Sequence, residues 1–282
     1  MTVHATSRRG HRPEGSGLAR ALRSLFVLAL VGVLTAGVPG TSQADQVELL
    51  VSGAISLRES LQEIGAAFER RHPSVKVLFN FGASVVLQQQ IERGAPVDVF
   101  VSAASAQMDD LQAKDLIVAT TRGTLAENSL VLIGPAHPGL DLASFDDLAK
   151  PLVKRIALGN PRTVPAGVYA QELLTALRLW DRLQPKLILT ENVRQALVYV
   201  IRNEVEAAVV YATDARSAAG DVRVVATAPE GSHRPVTYPI AVVKGSRRGT
   251  SPKAFVDLAL SDEGRHILEA HGFRLPRAPA SR

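Results

Sequence analysis

Cysteine is missing altogether from this chain of 282 residues. Its absence excludes disulfides, thiol nucleophiles, thiolate metal sites and a lipid-modified N-terminal cysteine. A chain of this length can do without disulfides, because it buries a sizeable core. The usual catalytic and cofactor motifs are missing as well: no G-x-S-x-G, no G-x-G-x-x-G and no P-loop. The seven histidines are mostly solitary, and none shows a metal-ligand spacing such as H-x-x-x-H. Catalysis needs a nucleophile with its base, a metal set or a cofactor loop, so the chain reads as something other than an enzyme. There is no low-complexity segment and no short-period repeat. No apolar run reaches the roughly 20 residues that a membrane-spanning helix requires.

What is present begins with a segment unlike the rest. Arg8, Arg9, Arg12, Arg20 and Arg23 make a basic start, followed by the apolar run 25–38 and then Thr41-Ser42-Gln43-Ala44. A basic region, a short apolar stretch and small residues at the exit describe a secretory signal. Residues 1–44 are expected to be removed as a signal peptide, leaving a freely diffusing periplasmic protein. An uncleaved anchor is the competing reading, and Arg8-Arg9 lies too far from the apolar run to argue firmly for twin-arginine export. Of 32 basic and 27 acidic side chains, five and one fall in this leader. The remainder is close to neutral, so the high pI lends no support to nucleic-acid binding.

From Val47 onward, short β-branched runs alternate with helical periods. Strands are expected at 47–51, 75–81 and 97–101, with helices between them: Leu57, Leu61, Ile64 and Phe68 recur at helical spacing, and Leu87 and Ile91 lie on a second helix closed by Gly94. A third helix is read over 108–116. After Asn128 the rhythm restarts, with strands at 130–133, 156–158, 207–211, 222–226 and 240–243, and helices at 166–179, 193–202 and 254–270. This pattern predicts an α/β chain of two lobes joined by two crossings. Residues 45–127 and 230–282 form lobe I, and 128–229 form lobe II.

Several helices open on residues suited to holding an anion. Ser56-Leu57-Arg58-Glu59 and Asn192-Val193-Arg194-Gln195 have capping-box form, Ser84 precedes Val85-Val86-Leu87, and Pro165-Ala166-Gly167 opens another helix. In α/β proteins these starts follow strand ends, the edge where ligands bind. A helix start offers unpaired N–H groups and about half a positive charge, so several converging on one cleft bind an anion without Lys or Arg. Helix capping alone also accounts for such serines. Tyr211 ends a strand and brings a hydroxyl to the same edge. Asp98 and Asp214 read as structural groups at element ends, Trp180 as core packing, and Arg194 either as positive field near Val193 or as a solvated helix face.

These residues resemble a known family over 47–275. The matching stretches are Ala54-Ile55-Ser56-Leu57, Phe81-Gly82-Ala83-Ser84, and Gly94-Ala95-Pro96-Val97-Asp98-Val99-Phe100-Val101-Ser102-Ala103. They continue with Asn128-Ser129-Leu130-Val131, Val164-Pro165-Ala166-Gly167-Val168-Tyr169-Ala170, Glu191-Asn192-Val193-Arg194, Val210-Tyr211 and Val236-Thr237-Tyr238-Pro239. In this order and spacing the chain is similar to the periplasmic molybdate-binding proteins of bacterial ABC importers. The resemblance implies a two-lobed periplasmic-binding-protein fold of type II, with two mixed or parallel sheets flanked by helices and two hinge crossings. It implies an oxyanion ligand, molybdate or tungstate, held by the hydroxyls and N–H groups of Ser56 and Ser84, the N–H groups of Ala166 and Val193, and the hydroxyl of Tyr211. No cofactor and no directly coordinated metal are implied. The implied partners are a membrane permease and its ATPase, with the protein a monomer. Two departures stand out: Ile55 where alanine is common, and Ala83 where a second serine is frequent. A receptor for sulfate, thiosulfate or another tetrahedral oxyanion is the alternative.

Overall fold

A computed structural model describes residues 46–137 and 140–276. The expected signal peptide and its exit at residue 44 lie outside the described residues. The first strand, β1 (Val47–Ala54), is buried on both faces over its last four residues, as a central parallel strand must be. Helix α1 (Arg58–Arg71) follows, and Leu61, Ile64 and Phe68 point its apolar stripe inward, all fully buried. Next come β2 (Val75–Gly82), α2 (Ser84–Glu92), β3 (Val99–Val101), α3 (Ser105–Ala113) and β4 (Gly123–Asn128). The second half runs β5 (Leu130–Pro135), β6 (Ile156–Gly159), α4 (Pro165–Ala176), α5 (Trp180–Leu183), β7 (Leu187–Thr190), α6 (Val193–Ile201), β8 (Ala207–Tyr211), α7 (Ala212–Ser217) and β9 (Val222–Thr227). Strand β10 (Val236–Val242) and helices α8 (Ser251–Leu260) and α9 (Asp262–Ala270) complete the chain.

Two mixed five-stranded sheets result, flanked by helices. The first has the order β2-β1-β3-β10-β4 and the second β7-β6-β8-β5-β9. Within the first, β1 runs parallel to β2 and β3, and β10 is antiparallel to β3 and β4. Within the second, β6 runs parallel to β7 and β8, and β5 is antiparallel to β8 and β9. The chain passes between the sheets from Asn128 to Leu130 and returns between Thr227 and Val236. Helices α8 and α9 then pack on the first sheet, where Phe255 of α8 meets Phe68 of α1 edge-on at 5.5 Å. No helix among the described residues is long and apolar enough to cross a membrane.

The α/β class follows the sequence reading, with local differences that have physical causes. Strands β4 and β7 went unread because both are edge strands held by a single neighbour and short of an inward apolar pattern; Ile188 and Leu189 of β7 are exposed. The last helix, read as continuous over 254–270, breaks at Ser261, whose hydroxyl accepts the Gly264 N–H and starts α9 afresh. The third helix starts at Ser105 and ends at Ala113, before Asp115 takes a positive φ of 56°.

Candidate functional site

The parallel strands of both sheets end at one place. The turn Ile55–Leu57 follows β1, Ser84 follows β2 and Ala103 follows β3; Pro165 and Ala166 follow β6, Val193 follows β7, and Tyr211 is the last residue of β8. Ser56, Ser84, Ala166, Val193 and Tyr211 all line a single small cavity between the two sheets. No charged side chain among the described residues lines it. The five positions reached from the sequence are therefore brought together.

Their local roles differ from the sequence reading in instructive ways. Ser56 is not the cap of α1: a 3-10 turn over Ile55–Leu57 delays the helix by one residue, so Leu57 takes the cap position and Glu59 is freed for another partner. The Ser56 hydroxyl lies 3.4 Å from that of Tyr238, which accepts a hydrogen bond from Asn128 Nδ2 at 3.0 Å. Ser84 is the first residue of α2, with Ala83 at the cap. Its Oγ accepts the Ala103 N–H at 2.9 Å, which uses a lone pair and leaves its proton free to donate. Asn192 does cap α6, its side chain accepting the Gln195 N–H at 3.0 Å, while Gln195 reaches back to Glu191 rather than to the cap. This leaves the Val193 N–H at the open end of the helix.

Helix α4 has no side-chain cap, but Val164 O accepts the N–H groups of Gly167 and Val168. The Ala166 N–H has no acceptor among the described residues. Gly167 sets the height of this turn: a Cβ there would lie 1.9 Å from Gly159 O and 2.9 Å from the Asn160 carbonyl carbon, both backbone atoms that cannot swing aside. Gly167→Ala is therefore expected to push α4 off the end of β6 and destabilise the protein by about 2 kcal/mol. Urea unfolding measures it, and an unchanged midpoint would mean that this packing has slack.

Tyr211 is 1% exposed, and its hydroxyl has no hydrogen-bond partner. Burial lifts its pKa well above 10, so the group keeps its proton and remains a donor at any working pH. A buried, unpaired hydroxyl is uncommon and calls for a partner that the described residues do not supply. Behind the cavity stands a set of groups that sequence reasoning did not connect. Tyr238, Asn128 and Thr213 form a buried hydrogen-bonded chain leading to Ser56. Arg194 is neither a source of free positive field nor a solvated face. It lies between Asp214 and Glu59, at 2.7 Å from each. Burial pushes the Asp214 carboxyl up to about 6, against the pull of Arg194. Asp98 has a structural duty, accepting the Leu50 N–H at 2.8 Å and the Ser246 hydroxyl at 2.5 Å.

A family model described as bacterial extracellular solute-binding protein matches residues 49–274. The molybdate-binding protein ModA of Escherichia coli strain K12 is 40% identical over 262 residues, covering 92% of this chain and all of that protein. The ModA of Haemophilus influenzae is 38% identical over 244 residues, covering 86% of this chain and 95% of that protein. Among solved structures, the Azotobacter vinelandii periplasmic molybdate-binding protein superposes with a TM-score of 0.73 at 24% identity, over 81% of this chain and the whole of that one, a likeness of fold.

Proposed function

The chain belongs to the bacterial extracellular solute-binding proteins, and from that premise we propose that it captures molybdate, and tungstate with it, as the receptor subunit of an ABC importer. The unpaired Tyr211 hydroxyl carries this reading. It sits in a cavity of helix starts, where an anion accepting from it satisfies a buried hydroxyl that otherwise has no partner among the described residues. Ser56 and Ser84 donate from the first-sheet lobe, taken as residues 45–127 with 230–282. The N–H groups of Ala166 and Val193 and the Tyr211 hydroxyl donate from the second, 128–229. Within the chain the Ser56 hydroxyl donates to Tyr238 at 3.4 Å, longer than a good O–H···O bond, so an anion in the cavity competes favourably for that proton.

Each hydrogen bond to a charged acceptor contributes about 1.5–3 kcal/mol, and half a dozen together offset dehydration of a dianion. A cavity of donors alone also selects. Phosphate near neutral pH carries a proton that finds no acceptor here, which costs about 1–3 kcal/mol. Sulfate has no such proton and is discriminated by size. An anion touching both lobes stabilises their closed arrangement by its differential affinity, and the closed form delivers its cargo to a membrane permease powered by an ATPase. The leader directs the protein to the periplasm, where it acts as a monomer.

Thermal unfolding of the chain lacking residues 1–44 tests this. Molybdate or tungstate at a hundred times its dissociation constant stabilises by about 2.7 kcal/mol, which for a chain of this size raises Tm by about 5–10 °C. Phosphate is expected to leave Tm unmoved. A larger rise with sulfate than with molybdate reassigns the anion, and no rise with any of them ends the proposal.

A further inference from the structure

Arg194 follows Val193 at the start of α6, yet it does not line the anion cavity. Its guanidinium faces two carboxylates instead. On one side Nη1 and Nη2 donate to Glu59 Oε1 and Oε2 at 3.2 and 2.7 Å, a two-pronged contact. On the other, Nε lies 2.7 Å from Asp214 Oδ1, close but off the line of the N–H bond, so the contact is an ion pair rather than an aligned hydrogen bond. Asp214 is fully buried, and its second oxygen accepts the Tyr211 N–H at 3.3 Å.

The two contacts differ in what they join. Arg194 and Asp214 both belong to the second-sheet half, and their pairing ties the start of α6 to the start of α7. Those are the turns that carry Val193 and Tyr211. Glu59 belongs to the other half, three residues beyond Ser56 on α1. It is 135 residues away from Arg194 in sequence and is the arm that crosses between the halves. Ile55, Leu197 and Ile201 line the same groove as Glu59 and Arg194, and such apolar flanks strengthen a charge contact by lowering the local dielectric.

We propose that Arg194 is a positioning residue for anion capture: through Asp214 it holds Val193 and Tyr211 in register, and through Glu59 it fastens them to the half that bears Ser56. The inference rests on the reading of this cavity as the molybdate site. When the halves part, Arg194 keeps Asp214 and loses only Glu59, which returns to water. The Glu59 arm therefore favours the closed arrangement alone, and acts on how long the ligand stays rather than on how fast it arrives.

Glu59→Gln is the test, because Glu59 is 42% exposed at its side chain and the substitution leaves no buried charge behind. Stopped-flow binding of molybdate should show dissociation about two- to fivefold faster, with association unchanged. The Tm without ligand should stay that of the parent. The difference between parent and variant should shrink as NaCl is raised, since salt screens the arm. A merely structural role moves the ligand-free Tm and leaves the salt dependence alone. Molybdate dissociation that is identical in parent and variant at low salt overturns the proposal. Failure of the parent chain to bind molybdate overturns the reading beneath it, and this inference with it.

Discussion

Ser84→Asp is expected to abolish molybdate capture, by more than about 1,000-fold, without unfolding the protein. Ser84 is fully buried, opens α2 and accepts the Ala103 N–H through its Oγ. A carboxylate there inherits that hydrogen bond and sits at the positive end of a helix, where negative charge is stabilised. It thus occupies the ground proposed for the anion. A second negative group facing it in a cleft poor in water costs several kcal/mol, and each 1.4 kcal/mol is a factor of ten in affinity. Calorimetry with millimolar molybdate should show no binding heat, while the ligand-free Tm holds or rises. Near-parental affinity in this variant would place the anion somewhere else on the protein.

Tyr211→Phe is expected to weaken molybdate binding by about 10–150-fold, the equivalent of one hydrogen bond to a charged acceptor. Its effect on the empty protein should have the opposite sign. The hydroxyl has no partner among the described residues, so removing it relieves a desolvated group; stability holds or increases by up to about 1 kcal/mol. The ring keeps its edge-on neighbour Tyr238, centroids 6.0 Å apart. Binding isotherms paired with urea unfolding separate the two effects. Loss of both affinity and stability would assign Tyr211 to packing. Because burial keeps this hydroxyl protonated well above pH 10, it is a donor throughout the range below that, and the parent affinity should show no loss from its ionisation between pH 7 and 9.

Much of this was legible from the sequence, for a reason that also sets the limit. Strand ends and helix starts are local events, signalled by Pro165, Asn192 and the β-branched runs before them, and a parallel α/β fold gathers such events at one sheet edge. The five cavity positions needed no knowledge of distant contacts. Ser56 was placed one residue wrong as a cap, because a 3-10 turn and an α-helix share their opening residues in sequence. Arg194 was harder: its partners lie at Glu59 and Asp214, and nothing within a few residues of any of them marks the pairing. The Tyr238–Asn128 support behind Ser56 was hidden in the same way, since those two residues are 110 positions apart. Edge strand β7 was missed because its exposed Ile188 and Leu189 break the inward apolar pattern on which strand reading depends.

Two of the five cavity positions, Ala166 and Val193, bring no polar side chain at all. What they offer is the amide that nineteen of the twenty amino acids carry there, proline being the exception. On the proposed reading of this cavity, selection on anion capture at these two points acts on the path of the main chain and on the glycine that lets α4 lie against β6, and hardly on residue identity. Over long divergence, a receptor of this design can lose its recognisable letters while keeping its ligand, and a proline arriving at either position is a better sign of changed cargo than any swap of side chains.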